Sequence, residues 1–525
     1  MKRGQALKDL LFCLISAFFI LLVCSRSSPL YVFNNWDDAN SYFTVGKGLM
    51  NGLLPYRDLY DQKGPYLYLV YGLAWLLSHR TFAGVFLLET VSLTVFLYYS
   101  FRIMRLYAGR TACLALTPVL GAVVCTSEAF YWGGSAEEIF LPLLAMGLYD
   151  CLDYMRTSAD DTTSSVNSLR EGSREPLNSP LTVEVNGSVL PPAGMVFRNA
   201  LAAGILMQVK YTWLGFYLAF ALVFSLKLLS MGQGKKIIRY FFIFVGGMLL
   251  SMVPWLLFFG VRGGLHDWYS VYVYDNVFLY SHLSQKEGLT DALHRLIRLM
   301  YWQLRDDPGY YVPLFIGLFG ALIEKGQGVI ERLAPWWLFL FTFLGIFYAG
   351  GSLPYYCLTL SVFAPVGMGY VGKAACAVTR GKLKGKIPTA VLIPALSAAL
   401  SLAVSFSVTP NRDFMRETRD SFFLFSFADT VNEDPDATLL NVNCLDAGLY
   451  TLTGIVPDCR YFQTNTLGVP VIEEGQKRYV KEGKTEYIIA RDALPYTVPE
   501  FYEEVDSADY PTNGVDHTYI LYRKR

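Results

Sequence analysis

Two carboxylates stand side by side in the segment Asn35-Trp36-Asp37-Asp38-Ala39, just past the first long apolar run. Leu54-Pro55-Tyr56-Arg57-Asp58 and Asp61-Gln62-Lys63-Gly64-Pro65-Tyr66 follow shortly after. Two more carboxylates, Glu137 and Glu138, come after a later apolar run, and Lys210 interrupts another. These residue types suit one kind of chemistry. A carboxylate within hydrogen-bond reach of a hydroxyl can act as its general base. Lysines can neutralise a phosphate as point charges. A phosphate stabilised in that way leaves readily, and no strong acid is then required. Those are the parts needed to move a sugar from a lipid phosphate to an alcohol.

Each group also has a plainer reading. Asp38 could cap a helix running through Ala39–Met50. Lys63 could snorkel at a membrane interface. Glu137 and Glu138 could sit at a helix N-terminus, where negative charge is favoured. Lys210 is harder to set aside, because a lysine within an apolar hairpin is costly. Glu89, in the middle of an apolar span, poses the same question, and no partner for it can be named from the sequence.

The elements that must hold these groups are membrane helices. The chain has 525 residues, of which 53% are hydrophobic and 17% charged, with a mean hydropathy of +0.33. A soluble protein of this length carries more charge. The net charge of zero leaves no global field for nucleic acid. Aromatic residues make up 15%, which suits interfacial belts and sugar- or lipid-facing surfaces. The basic start, Met1-Lys2-Arg3 with Lys8, precedes the apolar run Leu10–Val23. No small-x-small cleavage pattern follows, so the run reads as an uncleaved anchor with a cytoplasmic N-terminus.

Hydropathy predicts spans near 9–25, 82–101, 111–130 and 139–154, then a hairpin of two short helices over 199–229. Further spans fall near 240–260, 311–323, 334–349, 354–371 and 387–407, giving about eleven in all. The basic loops 102–110, 227–239 and 373–386 orient the array, since Lys and Arg favour the cytoplasmic side. The loop 26–80 is then outside, with an interfacial helix over Leu67–Leu77 that starts at Pro65. Glu137, Glu138 and Lys210 share that face, where polar groups usually line a cavity. The segment 261–309 reads as a long polar outer loop, and Gly350-Gly351-Ser352-Leu353 as an outer turn. The Ser-, Thr-, Asp- and Glu-rich stretch 156–198 reads as a mobile cytoplasmic loop.

The chain therefore divides into a transmembrane domain, 1–407, and a soluble extracytoplasmic α/β domain, 408–525. In the second domain Thr438–Val442, Tyr487–Ile489 and Asp516–Arg523 read as strands, and Ala447–Leu452 and Val471–Lys481 as helices. The nine cysteines have no metal spacing. Cys444 and Cys459 could pair outside the cell, or could be two unrelated buried thiols.

The pattern Trp36-Asp37-Asp38-Ala39, Tyr42, Gly48-Leu49, Gly52-Leu53-Leu54-Pro55-Tyr56-Arg57-Asp58 and Asp61-Gln62-Lys63-Gly64-Pro65 resembles the GT-C superfamily of membrane glycosyltransferases. Within it the pattern is similar to the bacterial branch related to protein O-mannosyltransferases and the lipid A aminoarabinose transferase. Gly134-Ser135-Ala136-Glu137-Glu138 resembles the second acidic loop of that branch, and Lys210 its lysine after the fifth span. In Leu353-Pro354-Tyr355-Tyr356, Tyr355 stands where a His is more usual, and Gly64 stands where a Pro is usual. The resemblance implies a polyprenyl-phosphate sugar donor, an envelope glycan, lipid or protein acceptor at the outer face of the cell membrane, and inversion at the anomeric carbon. It matches Asp37 best to the catalytic aspartate, with Asp38 second. It implies that Lys63, Lys210 and Arg57 hold the phosphate, and that Glu137, Glu138, Tyr355 and Tyr356 position sugar or acceptor. No cofactor is required by this reading; some relatives use a divalent metal, and this sequence carries no dedicated ligand set. Two other functions compete. One is a flippase or transporter of lipid-linked sugars, and the other is a non-catalytic polysaccharide-assembly protein that binds through its tail.

Overall fold

Long apolar stretches without charge can satisfy their backbone inside a membrane only as helices, and helices dominate this chain. The computed structural model describes residues 3–163, 183–185, 188–279, 288–348, 353–379, 387–464, 470–492, 494, 496–498, 500–512 and 515–525. Its first half contains α1 (Arg3–Cys24), α2 (Asp37–Met50), α3 (Pro65–Leu77), α4 (Ala83–Arg105), α5 (Arg110–Cys125) and α6 (Ala136–Thr163). A small hairpin of β1 (Val183–Val185) and β2 (Ser188–Leu190) leads to α7 (Ala193–Met207), α8 (Leu214–Ser230) and α9 (Lys235–Val261). Then come α10 (Leu265–Trp268), α11 (Leu289–Asp306), α12 (Pro308–Leu322), α13 (Val329–Phe347), α14 (Ala364–Thr379) and α15 (Ile387–Val408).

A helix falls at every position where hydropathy predicts a span. Seven of the described helical segments are long and apolar enough to cross a membrane: Gly4–Cys24, Ala83–Arg105, Tyr211–Ser230, Lys235–Val261, Val329–Phe347, Pro354–Val378 and Ala390–Val408. α5, α7 and α12 are shorter and apolar. α9 and α15 expose large apolar side chains such as Phe241, Phe242, Leu257, Leu396 and Leu400, faces suited to lipid. α4 packs between α1 and α6, α7 pairs with α9, α8 with α13, α12 with α14, and α5 with α15.

Several boundaries differ from expectation. The third span ends at Cys125 rather than near 130. The turns that follow are tied down by Asp307, whose carboxylate accepts the backbone N–H groups of Glu128 and Ala129 at 2.7 and 3.1 Å. The predicted polar loop 261–309 is largely helical: α10 continues into a π-helical stretch, Tyr269–Leu279, and α11 follows. A loop reading failed there because α11 is amphipathic and its polar residues mask a helical period. Within 156–198, α6 continues to Thr163 and α7 begins at Ala193; most of the stretch between lies outside the described residues, as do Gly350, Gly351 and Ser352.

The C-terminal part is the small α/β unit that the sequence predicts. Its strands β3 (Leu439–Val442), β4 (Tyr487–Arg491), β5 (Tyr502–Thr512) and β6 (Val515–Lys524) form one sheet in the order β3-β4-β6-β5. β3 and β4 are parallel, and the other two pairings are antiparallel. Helices α16 (Leu424–Asn432), α17 (Leu449–Thr453) and α18 (Pro470–Lys481) complete it. β5 has no counterpart in the sequence reading. It is a polar edge strand containing Pro511, so it lacks the apolar alternation that marks a half-buried strand. Cys444 and Cys459 are both free and buried, in two separate apolar clusters, which decides against a disulfide.

Candidate active site

The first turn of α2 carries both aspartates and turns them in different directions. The helix begins at Asp37, with Trp36 in the capping position and no side-chain cap bond. Asp38 is therefore inside the helix rather than its cap. Its Oδ2 accepts a hydrogen bond from the Tyr355 hydroxyl at 2.7 Å. The Trp36 ring lies edge-on to Tyr355, with centroids 5.1 Å apart. Asp37 faces the C-terminal domain, where Arg491 Nη2 lies 2.8 Å from each of its carboxylate oxygens. Burial pushes the Asp37 carboxyl up, and the Arg491 charge opposes that push.

Lys63 comes from the extended segment that precedes α3. Burial works against its charge, but the carboxylates of Asp38, Asp61 and Glu137 together with Tyr356 hold the amine above its ordinary range. Asp61 fixes this segment: its Oδ1 accepts the Lys63 backbone N–H at 3.0 Å and the Tyr68 hydroxyl. Gly64 brings the segment against the α7–α8 turn. A Cβ there would lie 1.7 Å from the Gln208 carbonyl oxygen, so the two backbones approach as only glycine allows. This packing accounts for the glycine at position 64.

The α7–α8 turn carries Lys210. Its Nζ pairs with Glu137 Oε1 and lies 3.2 Å from the centroid of the Tyr356 ring. Tyr355 and Tyr356 are the start of a 3-10 segment, Pro354–Phe363, that leads into α14, and both rings are buried. Runs of this length in 3-10 geometry are uncommon and often mark functional segments.

Glu138 divides its role from Glu137 as Asp38 does from Asp37. Ser135 Oγ accepts the Glu138 backbone N–H at 3.0 Å, while Glu138 Oε2 accepts the Gly134 N–H at 2.9 Å, a reciprocal cap at the start of α6. Its carboxyl also lies beside that of Glu89. Ser25 Oγ lies 3.0 and 2.9 Å from the two Glu89 oxygens. Glu89 thus has partners that no sequence pattern revealed. The turn before α6 is strained: Tyr131 has φ +60° and Gly133 and Gly134 have φ +84° and +82°. A bulky residue in that region costs energy, and such strain clusters at functional sites.

The structure thus brings Asp38, Lys63, Glu137, Lys210, Tyr355 and Tyr356 together, with Asp37 and Glu138 immediately behind them. Arg57 does not join them. It is a surface residue that pairs with its neighbour Asp58 and donates to the Arg262 carbonyl. Sequence reasoning missed Arg491 and Gln463, which reach this cluster from the other domain. Nothing in their local pattern marks them, because their partners lie hundreds of residues away. Among the described residues no three His, Cys, Asp or Glu side chains converge as a metal-ligand set.

Comparison with known proteins gives a fold. No family model and no curated protein matches the sequence. Among solved structures, the crystal structure of ArnT from Cupriavidus metallidurans bound to undecaprenyl phosphate superposes with a TM-score of 0.59 at 14% identity, covering 99% of this chain and 98% of ArnT. The apo form of the same protein superposes with a TM-score of 0.59 at 13% identity, covering 97% of each chain. The chain therefore has the fold of ArnT along nearly its whole length, membrane helices and C-terminal domain together.

Proposed function

We propose that this chain is an integral-membrane glycosyltransferase that moves a sugar from a polyprenyl-phosphate donor to a hydroxyl acceptor. The observation that carries the reading is the convergence of Asp38 with Lys63 and the Lys210–Glu137 pair at one end of the helical array. The ArnT fold, in a protein solved with undecaprenyl phosphate, supports a lipid-phosphate donor. The basic loops orient the array so that this end and the C-terminal domain face away from the cytoplasm.

In this mechanism the acceptor hydroxyl attacks the anomeric carbon from the side opposite the phosphate. Asp38 takes the hydroxyl proton as the new C–O bond forms. The bond from the anomeric carbon to the phosphate oxygen breaks, and polyprenyl phosphate departs with inversion. Lys63 and Lys210 stabilise the charge that develops on it. The Tyr355 hydroxyl donates to Asp38 and holds the carboxylate toward the acceptor. Tyr356 and Glu137 keep Lys210 in place. Asp38 is preferred to Asp37 as the base because Asp37 is occupied by Arg491. The sugar is a hexose or a pentose, and the acceptor an envelope glycan, lipid or protein.

The test incubates purified protein with a panel of polyprenyl-phosphate sugars and follows donor consumption. One donor is expected to be consumed only when an acceptor fraction is present. Asp38→Asn should lower turnover about 10²- to 10⁴-fold, the usual contribution of a general base. If Asp38→Asn keeps full transfer, Asp38 is not the base.

A further inference from the structure

We propose that the C-terminal domain is a working part of the active site, and that Arg491 is a positioning residue for Asp38; this rests on the reading of Asp38 as the base. One face of α2 is bonded along its length to that domain. Asp37 pairs with Arg491. Asn40 Oδ1 accepts the Thr451 hydroxyl at 2.9 Å, and Ser41 Oγ donates to Gln463 Oε1 at 2.6 Å. Thr44 Oγ1 donates to Asp446 Oδ2 at 2.6 Å, and Lys47 Nζ donates to the Tyr450 carbonyl at 2.7 Å. Positions 37, 40, 41, 44 and 47 recur at helical spacing, so they form one stripe.

A stripe of five bonded positions fixes the rotation of α2 about its own axis. Asp38 sits one residue, or about 100° of helix, away from Asp37. The direction of its carboxylate is therefore set by the same rotation. Arg491 is the last residue of β4, and its Nε lies 2.9 Å from the Tyr519 hydroxyl on β6, so its guanidinium is held by the sheet. Gln463 extends the effect to the cations. Its Nε2 donates to Asp61 Oδ2 at 3.0 Å, and Asp61 fixes the backbone of Lys63. The same domain thus sets both the helix that carries the base and the segment that carries a phosphate-facing lysine. A displacement of about 1 Å at a reacting group can cost on the order of 10²-fold in rate.

The test uses the full chain, with rates expressed per folded protein. Arg491→Gln is expected to lower kcat roughly 10- to 100-fold while KM for the lipid-linked donor stays within about twofold, because the lysines are untouched. Arg491→Lys keeps the charge but not the Tyr519 bond, and should fall between the two. Asp37→Asn combined with Arg491→Gln should recover part of kcat, because the orphaned carboxylate is gone. A merely structural role would lower the folded yield and leave kcat per folded molecule unchanged, and that result overturns the proposal. Should Arg491→Gln fail to fold, Arg491→Lys decides alone: an unchanged kcat overturns the proposal and a lowered kcat with unchanged KM supports it. Full activity in Asp38→Asn would instead overturn the assignment of the base, whatever Arg491 does.

Discussion

At the residue scale, adjacent acids of the same type take different work. Asp37 pairs with Arg491 of the C-terminal domain, and Glu138 closes the start of α6. Asp38 and Glu137 face the shared cluster. Glu89 and Glu138 add a further constraint. Glu138 Oε1 is buried with no hydrogen-bond partner among the described residues, and the Glu89 carboxyl lies beside it. Two buried carboxyls that close repel each other when both are charged, and sharing one proton would relieve that repulsion. Glu89→Gln should preserve the contact, because its amide can donate where the shared proton did. Glu89→Ala leaves buried oxygens unpaired and should cost about 1–3 kcal/mol. Thermal unfolding of the two variants in detergent measures the difference, and equal losses would rule out a shared proton.

At the element scale, the site depends on how closely two connections approach. The Lys63 segment and the α7–α8 turn meet at Gly64, over the Gln208 carbonyl. Gly64→Ala must drive them apart, because backbone atoms on both sides cannot yield as a flexible side chain would. Transfer should fall on the order of 10²-fold, as for an ångström-scale displacement of reacting groups. Gly194→Ala is the control, since a Cβ there meets nothing within 4 Å. Transfer assays on both variants, normalised to folded protein, check this, and an active Gly64→Ala would show that the approach is not needed. The helices themselves were legible from hydropathy, as was the α3 start at Pro65. β5 and α11 were not, because an exposed edge strand and an amphipathic helix both carry polar residues that conceal their period.

At the scale of the whole molecule, the seam between α2 and the C-terminal domain contains a buried lysine. Burial pushes the Lys47 amine down to about 7, against the pull of Asp446. When the two parts separate, Lys47 recovers its ordinary value of about 10.4 and takes up a proton over the window between. The separated state then binds more protons, so the stability of the seam rises with pH from about 7 to about 10, and the cost of burial is complete below about 7. Thermal unfolding measured across that range should show the rise, and Lys47→Met should flatten it. A rise of equal slope in the variant would assign it to other groups.

The sequence by itself determined the class of this protein: a membrane array of helices with an appended α/β domain, and acids and lysines at one end of it. Hydrophobic length and basic loops suffice for that, because both act locally along the chain. Tertiary structure alone decided which acid faces which partner. Asp37 and Asp38 are neighbours in sequence, and their pattern cannot say which one looks inward. That choice was made by Arg491 of the C-terminal domain and by Tyr355 of the segment before α14, each more than three hundred residues away, through contacts that exist only in the folded chain.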